Sequence, residues 1–483
     1  MQHNERSRML GEMPMRHLVP KLSVPIMVSM LVQAMYNVVD SIYVSRYSAN
    51  ALTAVSLAYP VQMLMVALSV GMGVGINSLV SRKLGAGLKK ESRTASWNGL
   101  LIELTGFLIF LCVGLFLTGP IMESLVGQTL ANRETILEMS KTYLSIVTTW
   151  SLGVFSAVFF ERMLQVTGSS VLSMITQMSG AVVNIVLDPV LIFGRLGLPA
   201  MGIAGAAVAT VIGQFVSAVL GFCFNQFKNP ELRLSFAYAR LDPELLWGIL
   251  SVGFPSVIMQ AIGSVMNLGM NRLLGSFTDV GNAAVNVLNV YFKLQSFVFM
   301  PVFGLGSGML AIIGYNFGAR NKKRVYEGLR VALSYSVSIM LVGTLIFQLF
   351  PEQLMGIFSS SAAGAASESE AQIARQMHDI GVAALRTISL NFVFAAVGIT
   401  LSNIFQAVGR GVYSLIISIS RQLLVLLPAA YLLKAVFGTV GAVWWSFAIA
   451  EAVSLVISLS FFRKCDREMI APLDRQAPKN RPS

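Results

Sequence analysis

Two aspartates lie within apolar segments of this chain, where a carboxylate is costly to bury. Asp188 belongs to the run "NIVLDPVLIFG" at 184–194, and Asp40 to the run "AMYNVVDSIYVSR" at 34–46. Asn184 stands four residues before Asp188, so one face of a helix carries both side chains. Two carboxylates and an amide offer oxygen ligands for Na⁺, or a place to hold a proton. These residues therefore predict reversible binding of a small cation.

The segments around the two acids are long enough to cross a membrane. The chain has 483 residues, of which 55% are hydrophobic and only 12% are charged. A spanning helix needs about 20 mostly apolar residues, and twelve such runs occur between residues 18 and 462. The sequence predicts an all-α polytopic membrane protein with twelve transmembrane helices.

The distribution of positive charge predicts the topology. The net charge is +12, and 25 of the 35 Lys and Arg residues fall in alternate loops and in the two terminal segments. Cytoplasmic loops carry such an excess of Lys and Arg. We therefore expect a multi-pass protein of the inner (cytoplasmic) membrane with both termini in the cytoplasm. Because the positive-inside distribution of Lys and Arg accounts for the positive net charge, no nucleic-acid partner is predicted.

The sequence contains an internal repeat of about half its length. "LSVPIMVSMLVQAMYNVVDSIYVSR" aligns with "VGFPSVIMQAIGSVMNLGMNRLLGS", and "KLGAGLKKESR" aligns with "NFGARNKKRVY" in the same order. Each half holds six predicted spans, so both halves enter the membrane from the same side, as parallel repeats do. We expect two pseudo-symmetric six-helix lobes. The predicted divisions are an N-terminal lobe at 1–226, an inter-lobe loop at 227–244, a C-terminal lobe at 245–462 and a cytoplasmic tail at 463–483.

The repeat serves as an internal control for the polar residues. A side chain needed only to build a six-helix lobe is expected in both copies. The second copy has apolar residues at three of the positions in question: Asp40 aligns with Met270, Asn184 with Leu423 and Asp188 with Leu427. The lobe architecture therefore does not require these polar residues, which favours a functional role.

The ordered set of motifs resembles the MATE family of multidrug and toxic compound extrusion transporters. "SRKLGAG" follows span two, "GYNFGARNKKR" follows span eight, "NIVLDPVLIFG" lies in span five and "GIAGAAVATVIGQ" opens span six. The chain is most similar to the bacterial DinF-like branch, since its acids lie in the N-terminal half. The resemblance implies a non-enzymatic antiporter that exports organic, often cationic, compounds in exchange for H⁺ or Na⁺.

The resemblance also implies a set of cation-coupling residues. By motif position these are Asp40, Asn184, Asp188 and Thr210, which could hold Na⁺ as well as a proton. The alternative is that both aspartates, about five residues from the outer ends of their spans, simply point towards water. Thr210 alone would be expected to bond a backbone carbonyl group.

Three polar residues precede Asp40 on span one. Gln33 and Asn37 share its helical face and, with Tyr36, could line a substrate cavity beneath it. Helix packing is the competing interpretation, most of all for Asn37, because the second repeat has Asn267 at the aligned position.

A hinge in span one is predicted at Pro25, because proline removes a helical hydrogen bond. The resemblance suggests that this bend changes when the acid is protonated. A static kink is the simpler interpretation, since Pro255 stands at the aligned position in the second repeat.

The C-terminal half has its own charges within spans, Lys293, Arg421 and Glu451. They could form a second proton site or a counter-charge for substrate. The favoured interpretation is an ion pair of Glu451 with Lys293 or Arg421, because unpaired charges at that depth are costly.

Two rival functions remain open. A flippase for lipid-linked oligosaccharides, from the same superfamily, would need a cationic cleft and often has fourteen spans. A lipid-modifying membrane enzyme would need clustered acids, histidines or metal ligands. The leading prediction is a monomer in contact with membrane lipid whose partners are small-molecule drugs and whose only cofactor is the coupling ion, H⁺ or Na⁺.

Overall fold

The protein is helical nearly throughout in a computed structural model that describes residues 5–127, 132–278, 280–359 and 368–473. Within these residues ten helices are long and apolar enough to cross a membrane, and two pairs of bent helices bring the number to twelve. This agrees with the twelve predicted spans. Of the predicted tail at 463–483, the structure describes residues 463–473, and residues 474–483 lie outside the described part.

Six spans make up the N-terminal half. They are α1 (Met15–Tyr47), α2 (Ala49–Gly85), α3 (Lys89–Leu125), α4 (Arg133–Thr149 with Leu152–Val166), α5 (Ser170–Phe193) and α6 (Ile203–Lys228). A short helix, Glu5–Glu12, precedes α1. Helices satisfy every backbone polar group within the segment, which lipid requires.

Six more spans make up the C-terminal half. They are α7 (Pro243–Gly275), α8 (Gly281–Gly318), α9 (Lys322–Leu349), α10 (Glu368–Ser389 with Phe392–Ala407), α11 (Gly411–Phe437) and α12 (Val440–Ile470). A short helix, Pro351–Ser359, follows α9, and a single 3₁₀ turn, Phe236–Tyr238, lies in the loop between the halves.

The fourth span of each half is bent, which the continuous apolar runs did not predict. The two parts of α4 meet at 44° and the two parts of α10 at 51°. At the breaks, the Ser151 amide donates to the Thr148 carbonyl oxygen and the Asn391 amide to that of Ile388. Such i→i−3 bonds tighten the helix and end its regular ladder. Because both halves break at the same span, the bend belongs to the repeat.

The buried apolar clusters show how the halves are joined. One cluster comes only from the N-terminal half and another only from the C-terminal half, and both lie towards the span ends that the sequence predicts to be the outer ones. Two further clusters, towards the inner ends, mix the halves: Leu22 of α1 packs with Leu305 of α8, and Ile76 of α2 with Ile249 of α7. In contrast, Met35 in the outer half of α1 is 58% exposed. The lobes are therefore held together at their inner ends.

Two glycines at aligned positions of the repeat permit this inner contact. Gly85 ends α2 and Gly318 ends α8. A Cβ atom on Gly85 would overlap the carbonyl oxygen of Tyr315, and one on Gly318 would overlap that of Arg82. Since Arg82 and Tyr315 are themselves aligned in the repeat, the two contacts are related by the pseudo-twofold symmetry. The helix ends can approach this closely only without side chains there.

Another close approach brings α5 and α6 together in the N-terminal lobe. A Cβ atom on Gly213 would lie 2.7 Å from the Gly180 carbonyl oxygen, and one on Gly205 2.6 Å from the carbonyl of Leu191. Small residues let membrane helices pack backbone to backbone. The seam that they form sets α5 and α6 in register over their outer halves.

We expect Gly213→Val to lower the apparent melting temperature of the purified protein. The added side chain must push α5 away from α6, and overpacking of this kind costs about 1–3 kcal/mol. Gly441→Val is the matched control, because a Cβ atom at Gly441 meets open space. Equal melting temperatures for the two variants would show that the seam is not tightly packed.

Candidate functional site

Asp40 of α1 and Asp188 of α5 face each other across the contact between these helices. Asp188 is fully buried and Asp40 is half-buried. Their carboxyl groups lie within hydrogen-bonding reach of each other. Because an ionised carboxylate is only an acceptor, a hydrogen bond between the two groups would form only when one of them carries a proton. The arrangement is an acid pair with one member fully buried and the other half-buried.

Asn184 lies one turn from Asp188 and adjoins Thr210 of α6. In one orientation of its amide, Nδ2 donates to Thr210 Oγ1 over 3.3 Å. In the other orientation, Nδ2 donates to Asp188 Oδ2 over 3.2 Å, and the amide oxygen accepts from the Thr210 backbone N–H over 3.0 Å. The second orientation satisfies both ends of the amide, so we prefer it. The seam between α5 and α6 positions this contact, since Gly213 would meet the Asn184 side chain if it carried a Cβ atom.

Tyr36 joins the same cluster from α1, one turn before Asp40. Its hydroxyl group lies close to the side chain of Thr210. Gln33 and Asn37, which the sequence grouped with Tyr36 as cavity residues, are exposed. The structure therefore brings Tyr36 together with the acids and leaves the two amides on the surface of the outer half of α1.

Two members of the cluster were missed by sequence reasoning. Tyr143 of α4 is buried, its hydroxyl group donates to Gln62 Oε1 of α2 over 3.4 Å, and it lies within electrostatic range of both aspartates. Tyr143 lies within the polar stretch "EMSKTYLS" in the first part of α4. No spacing in the sequence links either residue to Asp40, because the link is made by packing between helices.

Each acid has one oxygen atom that is buried without a hydrogen-bond partner. These atoms are Asp40 Oδ1 and Asp188 Oδ1. In the described part of the chain neither carboxyl group forms an ion pair with Lys, Arg or His. A buried acceptor without a donor costs about 1–3 kcal/mol, and more if it is charged. A proton or a metal cation bound between the two acids would give these oxygen atoms a partner.

The second repeat has an apolar contact where the acids stand in the first. Met270 of α7, aligned with Asp40, is fully buried in the core of the C-terminal lobe. The neighbouring Gly269 lies against Leu427 of α11, the residue aligned with Asp188. The same helix contact is thus filled by hydrocarbon in one lobe and by carboxyl groups in the other.

The remaining predicted residues are placed as follows. Glu451 pairs with Arg421, with 3.1 Å between Oε1 and Nη1, whereas the Lys293 side chain is exposed. Of the two cations considered for Glu451, the structure selects Arg421. Pro25 is half-buried in the inner half of α1, and the helix continues through it from Met15 to Tyr47.

Solved structures similar to this chain over nearly its whole length are those of membrane transporters. One, described as the outward-facing conformation of a multidrug resistance MATE family transporter, superposes with a TM-score of 0.86 at 24% identity, covering 99% of this chain and 100% of that one. A MOP superfamily transporter from Pyrococcus furiosus superposes with a TM-score of 0.85 at 25% identity, over 98% and 100% of the chains. The predicted fold, twelve spans in two repeated lobes, is that of a multi-pass membrane transporter and is confirmed.

The family model described as MatE matches residues 25–190 and 255–432, one stretch in each lobe, and the chain belongs to this family. It is therefore a transporter rather than an enzyme. Assignment to the DinF-like branch stays a prediction.

Two curated relatives match most of the chain. The multidrug export protein MepA of Staphylococcus saprophyticus is 27% identical over 90% of this chain and 91% of its own length. The probable multidrug resistance protein NorM of Thermotoga maritima is 27% identical over 95% of this chain and 94% of its own length.

Proposed function

We propose that this protein exports organic compounds, including cationic drugs, in exchange for H⁺ or Na⁺ entering through the acid pair of Asp40 and Asp188. The observation that carries the proposal is the pair of facing carboxyl groups, each with a buried oxygen atom that has no donor. A cation that binds here supplies the partner that these buried oxygen atoms lack. The free energy of its binding can therefore contribute to a conformational change. The names of the relatives, a multidrug export protein and a multidrug resistance protein, support the same cargo.

The coupling ion is the second substrate of this exchange. Asp40, Asp188, Asn184 and Thr210 offer carboxylate, amide and hydroxyl oxygen atoms, a donor set that suits Na⁺. The same carboxyl pair can instead share a single proton, which would form a hydrogen bond between the two groups. Both ions would act by cancelling the repulsion between α1 and α5.

We further propose that the drug binds between the lobes, next to the outer half of α1. Gln33 and Asn37 are exposed there and would line its path, and Tyr36 would link them to the acid pair. Cation binding then alters how α1 packs, with Pro25 as the hinge, and favours the state that releases drug outwards. Differential affinity of the cation for the two states is the physical requirement.

The setting of the exchange follows from the same proposal. The protein would work as a monomer in the inner membrane, in contact with lipid, with both termini in the cytoplasm. The flippase alternative is not favoured, because the outer half of α1 from Gln33 to Tyr43 carries two acid-site residues and no Lys or Arg.

Transport into inside-out vesicles tests the proposal. We expect ethidium accumulation to follow an imposed pH gradient, an imposed Na⁺ gradient or both, and to stop when the gradient is collapsed with the matching ionophore. Vesicles that lack the protein serve as the control. Accumulation that needs ATP and ignores both ion gradients would contradict antiport.

A further inference from the structure

A second polar site lies in the C-terminal lobe, away from the acid pair. Here α7, α8, α10, α11 and α12 line a cavity of about 270 Å³. Aromatic rings form much of its wall, among them Tyr291, Phe299, Phe392 and Phe447. Phe299 meets Phe392 edge to face at 5.2 Å, and Tyr291 meets Phe447 at 5.8 Å. The cavity thus has the size and walls to hold one small aromatic ring system.

The ion pair of Arg421 and Glu451 lies in the wall of this cavity. It is not sealed, since the Arg421 side chain is 27% exposed and that of Glu451 17%. The bond between them uses one guanidinium nitrogen and one carboxylate oxygen. Among the described residues neither side chain forms a further hydrogen bond, and none of their other polar atoms is buried without a partner, so these atoms are open to the cavity or to solvent. Both groups can therefore bind a ligand while they remain paired with each other.

The architecture of a six-helix lobe does not require this pair. By the alignment of the two repeats, Val182 stands in the first lobe where Arg421 stands in the second, and Gln214 where Glu451 stands. A purely structural ion pair would also be better sealed, because water weakens it. Only the second lobe carries the energetic cost of these two charged side chains, and it carries them in the wall of a cavity. This indicates a binding role.

We propose that this cavity binds an aromatic zwitterion of the α-amino acid type. Arg421 would take the carboxylate, Glu451 would take the ammonium group, and the phenylalanine rings would hold the aromatic side chain. A ligand with only a positive charge would approach Glu451 but face the guanidinium beside it, and an anion would face the carboxylate. A ligand carrying both charges one carbon apart matches two opposite charges held 3.1 Å apart.

Equilibrium dialysis of the purified full chain against radiolabelled L-tryptophan tests this, without any ion gradient. We expect saturable binding, competed at least about tenfold more weakly by tryptamine, which lacks the carboxylate, and by indole-3-propionate, which lacks the ammonium group. Because no transport is measured, the result does not depend on the proposed antiport. Absence of saturable binding, or equal competition by tryptamine, would overturn the inference.

Variants locate the site. Arg421→Met and Glu451→Gln should each weaken L-tryptophan binding about tenfold or more, since each removes one charge-assisted contact. Arg386→Met is the matched control, because Arg386 is exposed in the same lobe. Ala395 lines the cavity, so Ala395→Met should weaken binding while both charges remain, which covers the case that a single-charge variant fails to fold. Unchanged binding in folded Ala395→Met protein, or in either folded charge variant, would refute the assignment.

Discussion

We expect Asp40→Asn to lose nearly all of the proposed gradient-driven export while the protein still folds and inserts into the membrane. The amide keeps the shape of the side chain but removes the charge that an incoming cation neutralises. We expect the rate of ethidium transport into inside-out vesicles to fall on the order of 100-fold, which corresponds to about 2.8 kcal/mol of differential cation binding. Asp188→Asn should have a similar effect, because the two carboxyl groups form one site and their effects are not additive.

The matched control for this prediction is Asp379→Asn. It makes the same chemical change on α10, where the Asp379 side chain is 85% exposed. Vesicles with this variant should transport ethidium at the rate of the wild-type protein. The account fails if Asp40→Asn protein, present at the normal level, transports as fast as the control under either gradient.

We expect Gly85→Ala and Gly318→Ala to open the side of the protein on which α2 and α8 end. In both variants the new methyl group overlaps a backbone carbonyl oxygen of the other lobe, and backbone cannot turn aside as a side chain can. We expect overpacking of about 1–3 kcal/mol to be relieved by separation of the ends of α2 and α8. The closed arrangement would then lose population to one that is open towards the predicted cytoplasmic side, and export would fall by about tenfold or more.

A cysteine introduced at Ser81 reports this opening. Ser81 is fully buried beside Gly314 at the inner contact between the lobes. In a background without the three native cysteines, N-ethylmaleimide should label this position about tenfold faster in the Gly85→Ala and Gly318→Ala variants than in the parent. Gly441→Ala, which meets open space, should not change the rate. Unchanged labelling in both test variants would mean that the glycine contacts do not hold the lobes closed.

The fold was predictable from the sequence because lipid imposes a simple rule. Each span must be a helix of apolar residues, so the hydropathy pattern gives the number of spans, and the repeat groups them into two lobes. The bends at Ser151 and Asn391 were not predictable in this way. Both fall within continuous apolar runs, and hydropathy does not register a local change from i→i−4 to i→i−3 hydrogen bonding.

Only those residues of the candidate site that are close in sequence or belong to a recognisable motif could be predicted. Helical spacing placed Asn184 beside Asp188, and the common depth of Asp40 and Asp188 suggested that they meet. Tyr143 and Gln62 come from α4 and α2, and only tertiary packing brings them near. For the same reason the sequence could not choose between Lys293 and Arg421 as the partner of Glu451, since both lie at a suitable depth.

The most direct test of the central claim measures whether drug displaces a cation from the acid pair. Ethidium is added to purified protein in weakly buffered detergent solution, without a gradient, while released H⁺ is followed with a pH electrode and bound radioactive Na⁺ by rapid filtration. The account predicts that the wild-type protein gives up one of these cations as drug binds, and that Asp40→Asn protein binds drug with no release. Equal release from Asp40→Asn protein would contradict the claim that the buried carboxyl pair holds the coupling ion.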